Sequence, residues 1–286
     1  MPAVGLSDQS LWDGVRSVAI QKSNVLSTEG REPLMPDFDR QLLADATNQR
    51  RRPLSPAYIP VDEYRGKTIQ QAIVEKCRND PAYFIFGGFV RTFDPHDREN
   101  PYKPFPDKPF LREALAFIHQ PSEVAAIAKS RQMMISWLLC AYAVWEAHFH
   151  PSRVCMIQSR VAEDAYEFVF FNDWRSSRCG FIEEALPPYL WVNDGGKYLQ
   201  AMRGRLIYPW GSKIVAVPGG AHHFRSRVAS FAVIDEACFF LDFGDSFKAA
   251  LAMVKGGGKL RVVSSAKYGS YFGKLIEAEK NQNMAA

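Results

Sequence analysis

Between residues 123 and 263, apolar stretches of strand length alternate with stretches of helix length, and no other property of this 286-residue chain restricts its fold as much. Glu123 to Ala128 is a short apolar run, Lys129 to Met134 is loop-like, and Ser136 to His150 is a largely apolar helix. Arg153 to Ile157 gives a second strand and Val161 to Asn172 a second helix. Ser230 to Ile234 is a third buried strand, Phe247 to Val254 is helical, Gly256-Gly257-Gly258 turns, and Leu260 to Val263 makes a further strand. Such alternation predicts an α/β fold with a mostly parallel central sheet, right-handed crossovers and flanking helices. Leu206 to Tyr208 and Lys213 to Val217 flank Pro209-Trp210-Gly211-Ser212 and predict a β-hairpin.

Upstream the texture differs. Residues 1–60 are polar and proline-bearing, with a basic knot at Arg50-Arg51-Arg52, and are expected to form an arm or tether. The compact domain is expected to occupy 61–286. It opens with a helical stretch near Thr68 to Cys77, the aromatic segment Asp80 to Phe86, and an amphipathic helix from Phe110 to His119 that Gln120-Pro121 ends. Apolar residues at 47% and charged residues at 23% are globular proportions, and a net charge of +4 only mildly favours a phosphate-bearing partner. The five cysteines are far apart, without metal-ligand spacing, and are taken as reduced and structural. The longest apolar run, Met133 to Trp145, is shorter than the roughly 20 residues a membrane span needs. The N-terminus offers no apolar stretch of signal-peptide type.

The run Phe231 to Ile234 delivers Asp235 and Glu236 to the carboxyl end of a parallel strand, where open α/β sheets bind ligands. Two adjacent carboxylates there suit phosphoryl transfer. Asp235 would hold Mg²⁺, directly or through water, while Glu236 would polarise the water that attacks a γ-phosphate. A surface turn with Asp-Glu by chance would look the same in sequence.

Phosphate binding needs a loop between a strand and a helix N-terminus, where free amides and the helix dipole favour an anion. Lys129-Ser130-Arg131-Gln132-Met133-Met134-Ile135-Ser136 stands in that place. Against G-x-x-x-x-G-K-[ST] it keeps only the final Ser136, which is placed to ligate Mg²⁺, while Lys129 could reach the β/γ-phosphates from the front of the loop. On this segment alone, a helix-capping loop with a surface Lys and Arg is the simpler reading.

Taken together, these residues resemble the large terminase subunits of tailed bacteriophages, in their N-terminal packaging ATPase domain. Many members carry a deviant Walker A of the form K-[SA]-R-Q-x-G-x-S-W, and Lys129 to Gln132 followed by Ser136-Trp137 is similar to it, with Met134 where the family usually has glycine. Phe231 to Ala237 resembles the family's Walker B, and Asp80 to Phe86 its "NPxYFI" opening. Phe105-Pro106-Asp107-Lys108 stands where members have an adenine-contacting Tyr-Pro-x-Gln, with Lys108 replacing glutamine and Phe105 or Phe110 left to pack on a base. Ser159 to Ala165 and Tyr208 to Ser212 resemble the segment after the second strand and the "G-S" hairpin. Phe224-Arg225-Ser226 resembles the element bearing the family's candidate arginine finger, and Val263-Ser264-Ser265-Ala266 its coupling motif. The likeness runs over about residues 80–280.

The resemblance implies a P-loop NTPase fold of the ASCE type that hydrolyses ATP with Mg²⁺ and drives double-stranded DNA into a procapsid. Its implied partners are the portal protein, the small terminase subunit and further copies of itself in a ring on the portal, and its implied place is the host cytoplasm, transiently at the portal vertex of the procapsid. Glu236, Arg225 and Arg131 would be catalytic. Residues 129–136, with Phe105 and Lys108, would bind nucleotide, Ser136 and Asp235 the metal, and Ser264, Ser265 and Ala266 would couple hydrolysis to motion. Such terminases add a C-terminal nuclease, for which residues 274–286 supply no converging carboxylates. No nuclease activity is therefore expected of this chain. A helicase-like translocase and a degenerate, non-hydrolysing P-loop module are the alternatives. His222-His223 reads as a loop pair without a third ligand, and Phe168, Phe170, Phe171 and Trp174 as packing.

Overall fold

A computed structural model describes residues 15–20, 63–64, 67–225, 227–265 and 270–277. Its centre is an eight-stranded sheet built from β1 (Val15–Ile20), β2 (Val124–Lys129), β3 (Val154–Gln158), β4 (Gln200–Met202), β5 (Arg205–Ile207), β6 (Lys213–Val217), β7 (Phe231–Asp235) and β8 (Lys259–Ser265). Their order across the sheet is β1-β2-β8-β7-β3-β6-β5-β4. From β1 to β6 all neighbours are parallel, and only β5 and β4 run antiparallel at one edge. The α/β fold with a mostly parallel sheet is thus present as the alternation predicted.

The central strands β2, β3 and β7 are buried on both faces, which is why they read as apolar runs. Alternate residues feed two separate cores. On β7, Phe231 and Val233 join one cluster, and Ala232 and Ile234 the other. The first face is covered by α4 (Ile135–Phe149), itself buried almost all round beneath α1 (Ile69–Asn79), α2 (Pro81–Phe86), α3 (Pro109–His119) and α6 (Arg178–Ala185). Local signals set these helices. Thr68 and Gln71 form a capping box on α1, Asp80 accepts from the amides of Ala82 and Tyr83 at the start of α2, and Pro109 opens α3. The indole of Trp145 donates to the Cys77 carbonyl at 2.8 Å, fixing α4 against the end of α1. On the second face, α7 (Phe243–Val254) and a helix over 271–277 lay Phe243, Phe247 and Phe272 on the sheet.

One buried cation ties the layers together. Arg261 of β8 is wholly buried, and its guanidinium donates to the carbonyls of Ile118, Gln120 and Ser122 at the end of α3. Burial pulls its pKa down to about 10, against the pull of nearby Tyr142 and Glu146.

Several boundaries depart from expectation. Part of the stretch expected as a polar arm is β1, paired parallel to β2 from Val15↔Val124 to Ile20↔Lys129. Arg16 and Ser17 interrupt its apolar pattern, and an edge strand needs only backbone complementarity. Residues 50–52 lie outside the described residues. The helix expected over 161–172 is α5 (Ala162–Val169) and stops early, because Phe170 is extended and Asp173 caps a separate 3₁₀ turn, accepting from the amides of Arg175 and Ser176. The hairpin forms over β5 and β6, with Gly211 at φ +83° in its turn. Ser212 ties that turn to α4 by donating to the His150 carbonyl at 2.6 Å.

Candidate functional site

The candidate site is assembled where β2, β7 and β8 end. Register places Ser265 of β8 beside Lys129 of β2, and Val263 beside Asp235 of β7. Three side chains separated in sequence meet there. The Ser136 hydroxyl donates to Asp235 Oδ2 at 2.6 Å, and Lys129 Nζ lies 3.3 Å from Ser136 Oγ and 3.8 Å from Asp235 Oδ1. Asp235 is almost fully buried and Lys129 largely so, with side-chain exposures of 3% and 15%. Oδ1 of Asp235 also accepts the amide of Glu236 at 2.9 Å. A buried carboxylate is costly unless paired and hydrogen-bonded, and these contacts satisfy that requirement.

The loop between β2 and α4 turns sharply. Gln132 and Met134 both take left-handed conformations, with φ +60° and +59°. Met134, standing where the resembled loop has glycine, is the N-cap of α4, and no side chain caps the helix. The first-turn amides of α4 are therefore left for an anion, at the positive end of a 15-residue helix. Met133 and Ile135 are buried in the core, so they offer backbone alone, while Ser130, Arg131 and Gln132 are exposed. Ser136 and Asp235 present oxygen donors of the kind Mg²⁺ takes, and this donor set fits that ion.

Glu236 follows Asp235 in the left-handed region, at φ +58°, with its side chain exposed. The 3₁₀ turn after it, Ala237–Phe239, is held by Ser264, whose buried hydroxyl accepts the Cys238 amide at 3.0 Å. Ser264 thus touches the carboxylate-bearing loop. Ser265 is partly buried beside Lys129, and Ala266 is outside the described residues.

Other expected residues lie apart from this cluster. Phe105 requires correction as a base-stacking residue. Its ring is 3% exposed and packs edge-on against Phe86 in the core, because the flanking prolines fix an extended segment whose apolar side turns inward. Phe110 is partly buried against the same core, and Lys108 is the exposed N-cap of α3. Arg225 is exposed just beyond a 3₁₀ turn over Ala221–His223, anchored by buried Phe224, while Ser226 lies outside the described residues. The His222 and His223 rings lie 3.9 Å apart, and no cluster of three or more His, Cys, Asp or Glu suited to a metal occurs among the described residues. Phe168 and Phe170 are buried, whereas Phe171 stacks on Tyr166 and Trp174 meets Phe170 edge-on.

Sequence reasoning overlooked Gln158. It ends β3 beside β7, wholly buried, and its amide donates to the carbonyls of Pro218 and Gly220. The loop leading to Arg225 is locked there, since a Cβ on Gly219 would come 2.4 Å from the Arg160 carbonyl oxygen. The available signal was a polar residue ending an apolar strand, the same signal that marked Asp235.

A parallel strand that leads through a tight loop into a helix with no side-chain cap, and a strand one place removed in the sheet that ends in Asp-Glu, together make the arrangement of a P-loop fold. Comparison with solved structures agrees. The large terminase of bacteriophage HK97 superposes with a TM-score of 0.54 at 13% identity, over 72% of this chain and 42% of that one, and that likeness shows a shared fold. This chain spans under half the length of that terminase. The ATPase domain of a Thermus phage large terminase matches at a TM-score of 0.43 and 15% identity, covering 68% of this chain and 71% of the other. The large terminase of a thermophilic bacteriophage, in complex with ADP, matches at 0.40 and 10% identity, covering 54% and 37%. No protein-family model and no curated protein matches the chain.

Proposed function

We propose that this chain is the ATP-hydrolysing motor domain of a terminase-type DNA-packaging machine, moving double-stranded DNA into a procapsid. The carrying observation is the contact of Ser136 with Asp235 at 2.6 Å, beside Lys129 and in front of an uncapped helix N-terminus. In this reading the triphosphate sits on the first-turn amides of α4, and Lys129 swings from Asp235 to the β- and γ-phosphate oxygens. Ser136 and Asp235 are the protein ligands of Mg²⁺, whose contribution is to neutralise charge on those oxygens. Glu236 orients and polarises the attacking water. Arg131 reaches its own nucleotide from the loop, and Arg225 reaches that of a neighbouring copy in a ring assembled on a portal protein with a small terminase subunit.

A non-hydrolysing phosphate-binding module is the second reading. It is favoured by the two left-handed, non-glycine residues of the loop, which keep strain where glycine would let amides close on phosphate. Steady-state ATPase assays with and without duplex DNA decide between them. Glu236→Gln is expected to retain nucleotide and lose turnover, whereas Lys129→Ala weakens both, since its charge faces phosphate in ground and transition states alike. Turnover by Glu236→Gln at the parent rate would remove Glu236 as the catalytic carboxylate, whereas a parent protein with no turnover, with or without duplex, would favour the non-hydrolysing reading.

A further inference from the structure

Among the described residues, no helix covers the second face of the sheet toward its antiparallel edge. Beyond α7, two adjoining cavities of about 190 and 420 Å³ share Arg205, Val215 and Arg227 in their walls. Arg203 and His223 complete the first, and Lys213 the second. No carboxylate lines either one. Arg203, Arg205, Lys213 and Arg227 are all exposed, and none takes part in an ion pair among the described residues.

Strand geometry explains why Arg205 and Lys213 share a face. Register pairs Arg205 with Val215 and Ile207 with Lys213, so alternate residues of β5 and β6 turn to the same side. Arg203 is steadied at the β4–β5 turn, its guanidinium 4.9 Å from the ring centroids of both Tyr166 and Phe171. His223 is held below its ordinary pKa by burial, then by His222 and Arg227, as expected where positive charge already crowds.

Four cations without an ion pair among the described residues, lining one groove, give it a positive potential that favours a polyanion. The floor decides which kind. Met156, Val215 and Val217 are already 3%, 6% and 1% exposed, so a protein segment laid over them would gain little from apolar burial, and Val228, 78% exposed in the wall of the second cavity, is the one strongly exposed apolar side chain such a segment would cover. What remains to be gained is charge neutralisation and counterion release, which a phosphate backbone supplies.

We propose that this groove, along Arg203, Arg205, Lys213 and Arg227, is a track for the phosphate backbone of double-stranded DNA. The inference rests on the motor reading above, but concerns a surface separate from the nucleotide site. Its test is fluorescence-anisotropy binding of a labelled duplex across a salt series. It compares the parent with Arg205→Glu/Lys213→Glu, the milder Arg205→Gln/Lys213→Gln, and the control Arg98→Glu/Lys248→Glu, with thermal melts confirming folding. In both groove variants the plot of log K against log salt should become shallower by about 2, one contact per cation removed, with affinity lowered at low salt. DNA-independent ATPase activity should be unchanged, and the control should bind as the parent does. A parent that holds duplex while both groove variants keep its slope overturns this proposal alone. A parent that binds no duplex overturns it together with the translocase reading. Poly-glutamate that displaces the duplex at equal charge concentration would reassign the groove to an acidic protein segment.

Discussion

Met134 supplies a test in which glycine should outperform alanine at the start of a helix. The residue is the N-cap of α4 with φ +59° and ψ +10°, and its side chain packs partly against the first core. Left-handed backbone costs a residue with a Cβ about 1–2 kcal/mol, and glycine escapes that cost. Glycine is also the better N-cap of the two. Met134→Ala and Met134→Gly lose the same core contacts, so their difference isolates the backbone. Met134→Gly is expected to be the more stable by about 1–2 kcal/mol, the reverse of the usual preference inside helices. In denaturant melts this shifts the midpoint in favour of glycine, and thermally it amounts to a few degrees for a chain of this size, roughly 2–4 °C per kcal/mol. Nucleotide titration of the same proteins should show tighter binding to Met134→Gly than to Met134→Ala, because the loop amides can close on phosphate. An alanine variant as stable as the glycine variant would refute the strain argument and leave the left-handed turn without consequence.

Three further outcomes are expected. If Arg225 acts on a neighbouring copy, specific ATPase activity rises with protein concentration, and Arg225→Ala lowers the plateau by on the order of 10³ or more; constant specific activity, equal in both proteins, would exclude this. Ser264→Ala leaves the Cys238 amide buried without its acceptor, costing about 1–3 kcal/mol in denaturant melts and slowing turnover, while Ser264→Thr restores both. His119 has its pKa lowered from the ordinary 6.5, by burial first and then by Lys259. Its contribution to stability is therefore complete above pH 6.5 and lost as pH falls through the depressed folded value, and melts from pH 8 to 5 should show a weaker decline in His119→Gln.

The parallel sheet was legible because β2, β7 and β8 are covered on both faces, leaving apolar runs, broken only by Arg261 in β8, that end in polar residues. The same punctuation located Lys129 and Asp235, and Ser136 followed from its place at the start of α4. Other features left weaker marks. β1 and β4 lie at the two edges of the sheet, where polar residues are tolerated and no period survives. Phe105 looked available because aromatic residues between prolines often stand in exposed loops, and only tertiary packing against Phe86 shows that it is spent in the core. Arg261 gave no sign at all, since an arginine within an apolar strand is as easily an edge residue as a buried clamp.

That clamp has a mechanical consequence. Only Val262 and Val263 separate Arg261 from Ser264, whose hydroxyl holds the turn behind Glu236, and the intervening chain is extended strand. The guanidinium grips the carbonyls of Ile118 in α3, of its C-cap Gln120 and of Ser122 just beyond, and the nearby Lys259 donates to the His119 carbonyl on the same helix. Hydrogen bonds to a charged donor contribute about 1.5–3 kcal/mol each, so sliding β8 against α3 would break several at once. Strand and helix are obliged to travel as one lever, and a displacement of ångström size begun beside Glu236 would be felt at Lys108, on the far tip of α3, without any loop having to carry it.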